Sequence, residues 1–473
     1  MDATARADTR VAVIGAGMTG IASALELARA GLSVDLYEAR DHLGGLSDTY
    51  SWDGITWDRF YHVILSADNR LLALIDELGL TQELRWKETR TGFFKNGRLV
   101  SMSSIGDFLT FPFLSYWQKF RLGLGILASS RLKNADKLDR IYVREWLTKM
   151  FGRRVYERIW DPLLRSKLGA ARNTTSAAFM YATISRLYGA RDGESKTERM
   201  GYVRGGYARI LDAARSRLEE LGVRIHVDCR VEGVSSRPSE DGGTSTVTVQ
   251  TGRTGDAYHS ALLTVPAPTA RSLAAPQHDD GPYWTTMANV HYLGVVCLLV
   301  VLDRRASDYY VTNLLDTSLP FTGIVEITNI VDPAEFRDRH LVYLPKYVTS
   351  DDPVLSMPDE DISAEFLRGL RAVHPDLPAE AILHTRLFRE RYVQPLQGVN
   401  YLDQTRGIRT PIPGVYIANT SMLYNCTLNN NAAIGLAQEA AVLIATDAEA
   451  PRESDAAPAD GRWQRTRSGN AGA

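Results

Sequence analysis

"VAVIGAGMTGIASALELARAGLSVDLYEARDHLGGLSDTY", residues 11–50, decides the fold. It opens on "RVAVIG", a short apolar run ending in glycine, which suits a central parallel strand buried on both faces. Gly15, Gly17 and Gly20 follow in GxGxxG spacing. "MTGIASALELARAG" then keeps apolar residues at helical spacing and stops at Gly31. "LSVDLYE" is a second strand that finishes in Glu38. Each position has a mechanical role. Gly15 allows the tight turn, Gly17 lets a pyrophosphate approach the backbone, and Gly20 lets helix and strand pack closely. Phosphates suit the helix N-terminus, where free N–H groups and the dipole favour anions. Glu38, eighteen residues beyond Gly20, is placed to accept hydrogen bonds from a ribose diol and would repel an additional phosphate there. Strand, turn, helix, strand and terminal acid occur in order, so the stretch reads as a dinucleotide site.

Beyond Glu38 stands "ARDHLGGLSDTY", with a second glycine pair, Gly44-Gly45. A nicotinamide site has no use for it. A longer cofactor does, because its pyrophosphate and ribityl chain must pass the backbone at close range. The stretch resembles the FAD site of the flavin-containing amine oxidase and protoporphyrinogen oxidase superfamily. "WDPLLRSKLG" (160–169), "GYVRGGYARILDAARSRLEELGVRI" (201–225), "ALLTVPAP" (261–268), "LVYLPKYVTSDDP" and "LFRERYVQPLQGVNY" resemble later segments of its bacterial protoporphyrinogen-oxidase-like branch. So does the closing "PGVYIANTSMLYNCTLNNNAAIGLAQEAAVLI". His42 stands where many members have an arginine two positions before the pair, and Ala418-Asn419 stands where most have Gly-Asp.

The resemblance implies an α/β protein with a discontinuous Rossmann-like FAD-binding domain, about residues 8–65, 200–275 and 405–447. A second, α+β substrate domain then takes 66–199 and 276–404, with a disordered tail over 448–473. It implies FAD contacts from Gly15, Gly17, Gly20, Glu38, Gly44 and Gly45, and backbone contacts to adenine from a strand around Val231. Asn419 is expected in the ribityl or phosphate region. Asn431 opens a final helix aimed at the flavin's pyrimidine edge, where its dipole meets negative charge on the reduced ring.

Bulk properties agree with a globular enzyme. The chain has 473 residues, 44% hydrophobic and 23% charged, which favours two packed domains. A formal charge of −2 gives no electrostatic case for nucleic acid. Cys229, Cys297 and Cys426 lie far apart with no metal-ligand spacing, which points to a reducing compartment. With no signal peptide visible, a cytoplasmic location is expected. "LGVVCLLVVL" (293–302) is too short to cross a bilayer and reads as a buried strand. "ADNRLLALIDELGL" reads as an amphipathic helix, and residues 107–190 as mostly helical.

No acid–base pair is identifiable from spacing. His62, in "RFYHVIL", is either a hydrogen-bonded structural histidine or a catalytic group near the flavin. Lys346, in "YLPKY", either reaches flavin N5 through a water, as a lysine does in some amine oxidases, or is a surface lysine. Arg389 and Arg391 either bind an anionic substrate or are solvated strand charges. Tyr424, Asn425 and Asn430 precede the last helix and are expected to border the flavin. "FLTFPFLSYWQKFRLGLGIL" (108–127) either docks a membrane surface, lines an apolar channel or forms a core helix pair; Lys119 and Arg121 exclude a span.

The function expected is an FAD-dependent oxidoreductase that moves hydride from a C–N or C–C bond of a small organic substrate to flavin N5. Oxygen or a diffusible acceptor would be the oxidant, because no second GxGxxG unit follows a strand elsewhere. The competing class is a non-redox flavin isomerase like the UDP-galactopyranose mutases; a third reading has the flavin as structural. Fold alone does not separate these.

Overall fold

A computed structural model describes residues 8–130, 132, 136–189, 199–237, 245–252, 254–274, 281–424 and 426–449. The opening motif lies in a five-stranded parallel sheet. Its strands are β1 (Arg10–Ile14), β2 (Ser33–Tyr37), β3 (Arg224–His226), β4 (Ser260–Leu263) and β5 (Val415–Ile417), in the order β5-β4-β1-β2-β3. Four of the five β1 residues and all of β4 are buried, as strands covered on both faces require. Three helices cover the sheet: α1 (Met18–Arg29), α2 (Gly206–Glu220) and α3 (Asn430–Glu449). The small residues of α3, among them Gly435, Ala437, Ala440 and Ala441, are buried, and α3 packs along α1. The Gln438 amide also donates to Glu26 at 3.1 Å. Chain segments far apart in sequence thus meet in one sheet and its helices.

The second sheet has seven strands and mixed direction, in the order Ile382–Pro395, Tyr292–Leu302, His340–Thr349, Gly323–Glu326, Val311–Leu314, Thr91–Lys95, Arg98–Ser101. The run read as a buried strand is Tyr292–Leu302, and every residue of it is buried. Its period of two splits the core. Val295, Cys297, Leu299 and Val301 pack with Trp57, Phe60, Tyr343 and Phe388. Val296, Leu298, Val300 and Leu302 pack under the helix Asp359–Val373. A helical layer, including Tyr116–Ser130, Val143–Phe151 and Ala177–Gly189, forms its own core around Phe111, Trp146 and Phe151.

The structure adds strands that the sequence reading did not include and departs from that reading in two places. Leu84–Glu88 is a strand paired antiparallel with Arg199–Val203, and the hairpin at 91–101 completes the seven-stranded sheet. Val231 is not in a strand: β3 ends at His226, and Asp228 takes φ +50°. The N–H groups of Asp228 and Cys229 then bond the carbonyls of Arg40 and Glu38 at 2.8 and 2.9 Å, so this backbone pairs with the loop after β2. Finally, α3 continues to Glu449, past the expected start of the tail; 450–473 lie outside the described residues. Among the described residues no helix is long and apolar enough to cross a membrane.

Glu326, on an interior strand of the second sheet, is buried. It accepts from the backbone N–H groups of Ala306 and Ser307 at 3.0 and 2.9 Å. Burial outweighs those bonds and pushes its pKa up to about 7. The folded chain therefore holds this proton more tightly than the unfolded chain does. The contribution to stability is complete below the ordinary glutamate pKa of 4.5 and is lost as pH rises through about 7. Urea titrations between pH 5 and 8 are expected to show this decline, and Glu326→Gln to remove that part of the slope.

Candidate functional site

The glycine turn is fixed by the protein's own packing at two of its three glycines. Gly15 takes φ +100° and donates its N–H to Tyr37 at 2.8 Å, and a Cβ there would lie 2.9 Å from the Thr264 hydroxyl. A Cβ at Gly20 would stand 1.8 Å from the Gly15 carbonyl oxygen. Gly17 differs. Its φ is −72°, which any residue adopts, and a Cβ there would meet only the Gly45 Cα, at 3.8 Å, an ordinary contact. Nothing in the protein requires glycine at 17. Room is kept above this backbone, at the start of a helix with no side-chain cap and no acid in its first turn.

The second glycine pair is laid against the first cluster. The Gly44 N–H donates to the Ala16 carbonyl at 2.9 Å, and Gly44 bridges Gly17 in parallel fashion. Gly45 takes φ +60°, and a Cβ on it would fall 2.8 Å from the Gly17 Cα. Only glycine allows this approach. Glu38 clamps the arrangement from the side: one carboxylate oxygen accepts from the Ala16 N–H and the other from the Arg40 N–H, each at 2.9 Å. Each oxygen keeps acceptor capacity for a ribose hydroxyl.

The last helix closes the site from above. Ser47, two residues past the pair, exchanges hydrogen bonds with the Asn430 amide at 3.2 and 3.0 Å. Asn431 points elsewhere: its carbonyl oxygen accepts from the N–H groups of Arg70 and Leu71 at 2.8 and 3.2 Å and caps the helix Asn69–Glu77. Asn419, just past β5, is buried, and its carbonyl oxygen accepts from the Ser421 N–H and hydroxyl. Its amide nitrogen is buried with no partner among the described residues. A buried unpaired donor is costly, and a ligand acceptor would relieve it. The space at Gly17, the Glu38 acceptors and this donor fit a bound dinucleotide. Val231 is buried in the loop that pairs with Glu38 and Arg40, at the same end of the sheet.

Charge gathers just outside. Asp48 is buried and receives Arg40 and Arg59 at 3.1 and 2.7 Å and the His42 Nε2 at 2.6 Å. Arg40 also reaches Glu390 at 3.2 Å on the edge strand of the second sheet. His42 is thus committed to Asp48, together with its neighbour Asp41.

The expected catalytic residues fare unevenly. The His62 ring packs 4.9 Å from the Tyr207 ring, and its Nδ1 stands 3.7 Å from Asp58, too far to bond. It faces α2 beside Gly206 in a cavity of about 10 Å³, with no space for anything larger than a water. Lys346 pairs with Val296 and shares a face with Leu344 and Val348, under the helix Asp359–Val373. That is the face turned away from Tyr343, Phe60 and Phe388, so the geometry does not carry a part in flavin chemistry for it. Arg389 bonds Asp359 and the Met357 carbonyl, and Arg391 bonds the Ser350 carbonyl, so both are committed to the protein. Asn425 lies outside the described residues.

The residue beside Lys346 is the one correctly turned. The Tyr347 hydroxyl bonds the Tyr61 hydroxyl at 2.8 Å, joining the segment after the strand Ile55–Asp58 to the second sheet. Lys167 holds its ammonium 5.6 Å from the Tyr347 ring and 5.9 Å from that of Phe179. Burial pushes the Lys167 pKa down, and the Arg186 charge adds to the effect. Burial likewise pushes the Tyr61 and Tyr347 hydroxyls up. Strand parity could have found Tyr347, since it shares a face with Tyr343; nothing in the spacing singled out Lys167.

The profile of the flavin-containing amine oxidoreductase family matches residues 18–444. The chain belongs to that family. It is 26% identical over 421 residues to the zeta-carotene desaturase of Synechocystis sp., covering 77% of this chain and 83% of that one. Putrescine oxidase bound to putrescine has the same fold, with a TM-score of 0.68 at 18% identity, covering 92% and 98% of the two chains. So does a reduced UDP-galactopyranose mutase, with a TM-score of 0.68 at 16% identity over 92% and 95%. The family's cofactor is a flavin, and this chain is a flavin-dependent oxidoreductase of α/β architecture.

Two substitutions separate packing from ligand room. Gly20→Ala is expected to destabilise the fold by about 1–3 kcal/mol, because backbone must move. Gly17→Ala is expected to stay within about 1 kcal/mol of the parent, since cap and chain-entropy effects oppose each other. It should nevertheless lose flavin affinity at least about tenfold, close to 1.4 kcal/mol. Thermal melts of the apo-protein and flavin titrations report the two effects separately. Glu38→Ala should weaken flavin binding by about 1.5–3 kcal/mol, read from the same titration.

Proposed function

We propose that the chain binds FAD and oxidises a small organic substrate at a C–C or C–N bond, with oxygen or a diffusible acceptor as the final oxidant. The observation that carries the reading is the unfilled space over Gly17, where the protein's own packing asks for no glycine. FAD rather than a shorter flavin is supported by the GxGxxG turn, the Glu38 acceptors and the Val231 loop, which suit an adenosine half. In this reading residues 8–65, 200–275 and 405–447 hold the cofactor, and 66–199 and 276–404 hold the substrate.

Each residue then has a defined task. The N-terminus of α1 and the Gly17 backbone hold the pyrophosphate. Gly44 and Gly45 keep side chains off its path. Glu38 accepts from the ribose, and the Asn419 amide donates to the cofactor's polar stem. The N-terminus of α3, at Asn430 and Asn431, offers its positive dipole end to charge that develops on the ring. Bound FAD supplies the hydride acceptor, which no protein side chain provides. Tyr61, Tyr347 and Lys167 line the substrate side, with Phe60, Tyr343 and Phe388 as apolar neighbours. This predominantly aromatic face supports a C–C desaturation of an apolar substrate over chemistry on a charged one. The likeness to a carotene desaturase over most of both chains points the same way.

The test is anaerobic mixing of the oxidised holoenzyme with unsaturated hydrocarbon, porphyrinogen and amine substrates. Bleaching of the visible flavin band is expected, with one desaturated or oxidised product per flavin reduced. Turnover that needs prior chemical reduction and yields an isomer replaces this reading with the mutase one. Tyr347→Phe and Lys167→Met are expected to slow bleaching about tenfold or more while leaving the oxidised spectrum unchanged, because they shift substrate rather than cofactor. Lys346→Met, on the other face, is expected to stay within about twofold.

A further inference from the structure

The helix Tyr116–Ser130 is apolar on two faces. Inward, Leu122 is buried, the Ser129 hydroxyl bonds the Gly125 carbonyl, and a Cβ at Gly125 would lie 2.5 Å from the Phe151 ring. Outward, Tyr116 is 80% exposed, Trp117 68%, Phe120 60%, Leu124 55% and Leu127 40%. These positions recur every three or four residues and make one stripe along the helix. Trp117 and Phe120 stack at 5.6 Å, and the exposed Ile105 and Leu109 of the short helix Ile105–Thr110 lie beside them. Among the described residues, most of the strongly exposed large apolar side chains fall on these two helices. Scattered exposed leucines need no explanation; a contiguous aromatic patch does.

The charges of this helix are turned out of the stripe. Lys119 folds back, its ammonium donating to the Leu109 carbonyl and lying 5.0 Å from the Tyr116 ring. Arg121 turns sideways to the Lys149 carbonyl. Around the stripe the surface is basic. The described residues of 105–158 hold nine Lys and Arg against five Asp and Glu, in a chain whose net charge is −2. Arg121, Lys149, Arg153, Arg154 and Arg158 are all exposed on or next to the helix.

We infer that this face seats the protein on the surface of an anionic bilayer, with Trp117, Phe120 and Leu124 in the headgroup–acyl boundary and the cations on lipid phosphates. An apolar stripe with a basic rim is the pattern of a helix lying in the interface, and fifteen residues reach only about 22 Å, too short to span. A second copy is the weaker occupant, because a two-fold contact through this patch would set one basic rim against the other. The inference rests on the surface alone and stands apart from the proposed chemistry.

The full-length flavin-loaded chain is sedimented with phosphatidylcholine vesicles and with vesicles that also contain phosphatidylglycerol. Binding to the anionic vesicles, weakened by salt and much weaker with the neutral ones, is expected. The variant Trp117→Ser with Phe120→Ser and Leu124→Ser is expected to lower bound protein at least about tenfold without changing its melting temperature, since these side chains touch little of the core. Lys149→Gln with Arg154→Gln should lower binding to anionic vesicles about fivefold or more and leave neutral vesicles unaffected. A chain that stays in the supernatant with both compositions contradicts the inference, as does a triple variant that sediments like the parent. A dimer abolished by the triple variant, with no vesicle binding, assigns the patch to a second copy instead. Equal binding to both compositions overturns the part given to the cations.

Discussion

The structure depends on one close approach between two glycine clusters. A Cβ on Gly45 would fall 2.8 Å from the Gly17 Cα, so only glycine at 45 lets the two backbones come this close. This contact joins the loop after β2 to the turn after β1. It also delivers Ser47 to Asn430, so the N-terminus of the final helix comes to the same place. A chain that folds these three segments together leaves room over Gly17 and, among the described residues, no partner for the buried Asn419 amide nitrogen. Both features fit the dinucleotide placement proposed for this chain.

Around that contact, covalent distance and fold solve different problems. The parallel sheet collects segments from residues 10, 33, 224, 260 and 415, and loops at the ends of those strands carry the Glu38, Val231 and Asn419 groups. This is the expected place for a ligand in an open α/β sheet. The second sheet adds a face lined with tyrosine and phenylalanine, fastened to the cofactor side by Tyr61–Tyr347 and by Arg40–Glu390. The helical layer presents its own aromatic surface outward at Trp117 and Phe120. Neither of these two later features touches the glycine turn.

Much of this was legible from residue order, and the limits have physical causes. The fingerprint glycines, the Glu38 strand end, the buried run at 293–302 and the last helix were readable because each is local and periodic. The Lys346 and Tyr347 pair was not, because adjacent strand residues point to opposite faces and register decides which one faces the chemistry. Val231 was misread as strand because the backbone just before it, at Asp228 and Cys229, pairs with the loop after β2 and not with a sheet neighbour. "LRWKE" at 84–88 hid a strand, since its polar residues give no buried face until Arg199–Val203 arrives beside it. The apolar residues at 116–127 were compatible with a core helix, and only the fold shows that Tyr116, Trp117, Phe120, Leu124 and Leu127 lie on its exposed side.

The central claim is that an adenine-containing flavin lies across both glycine clusters and beneath the final helix. The most direct measurement is to denature the purified chain, identify the released chromophore by mass and count it against protein. One FAD per chain, released without covalent linkage and taken up again on refolding, is the predicted result. A well-folded chain that is colourless and takes up no FAD when it is supplied contradicts the account.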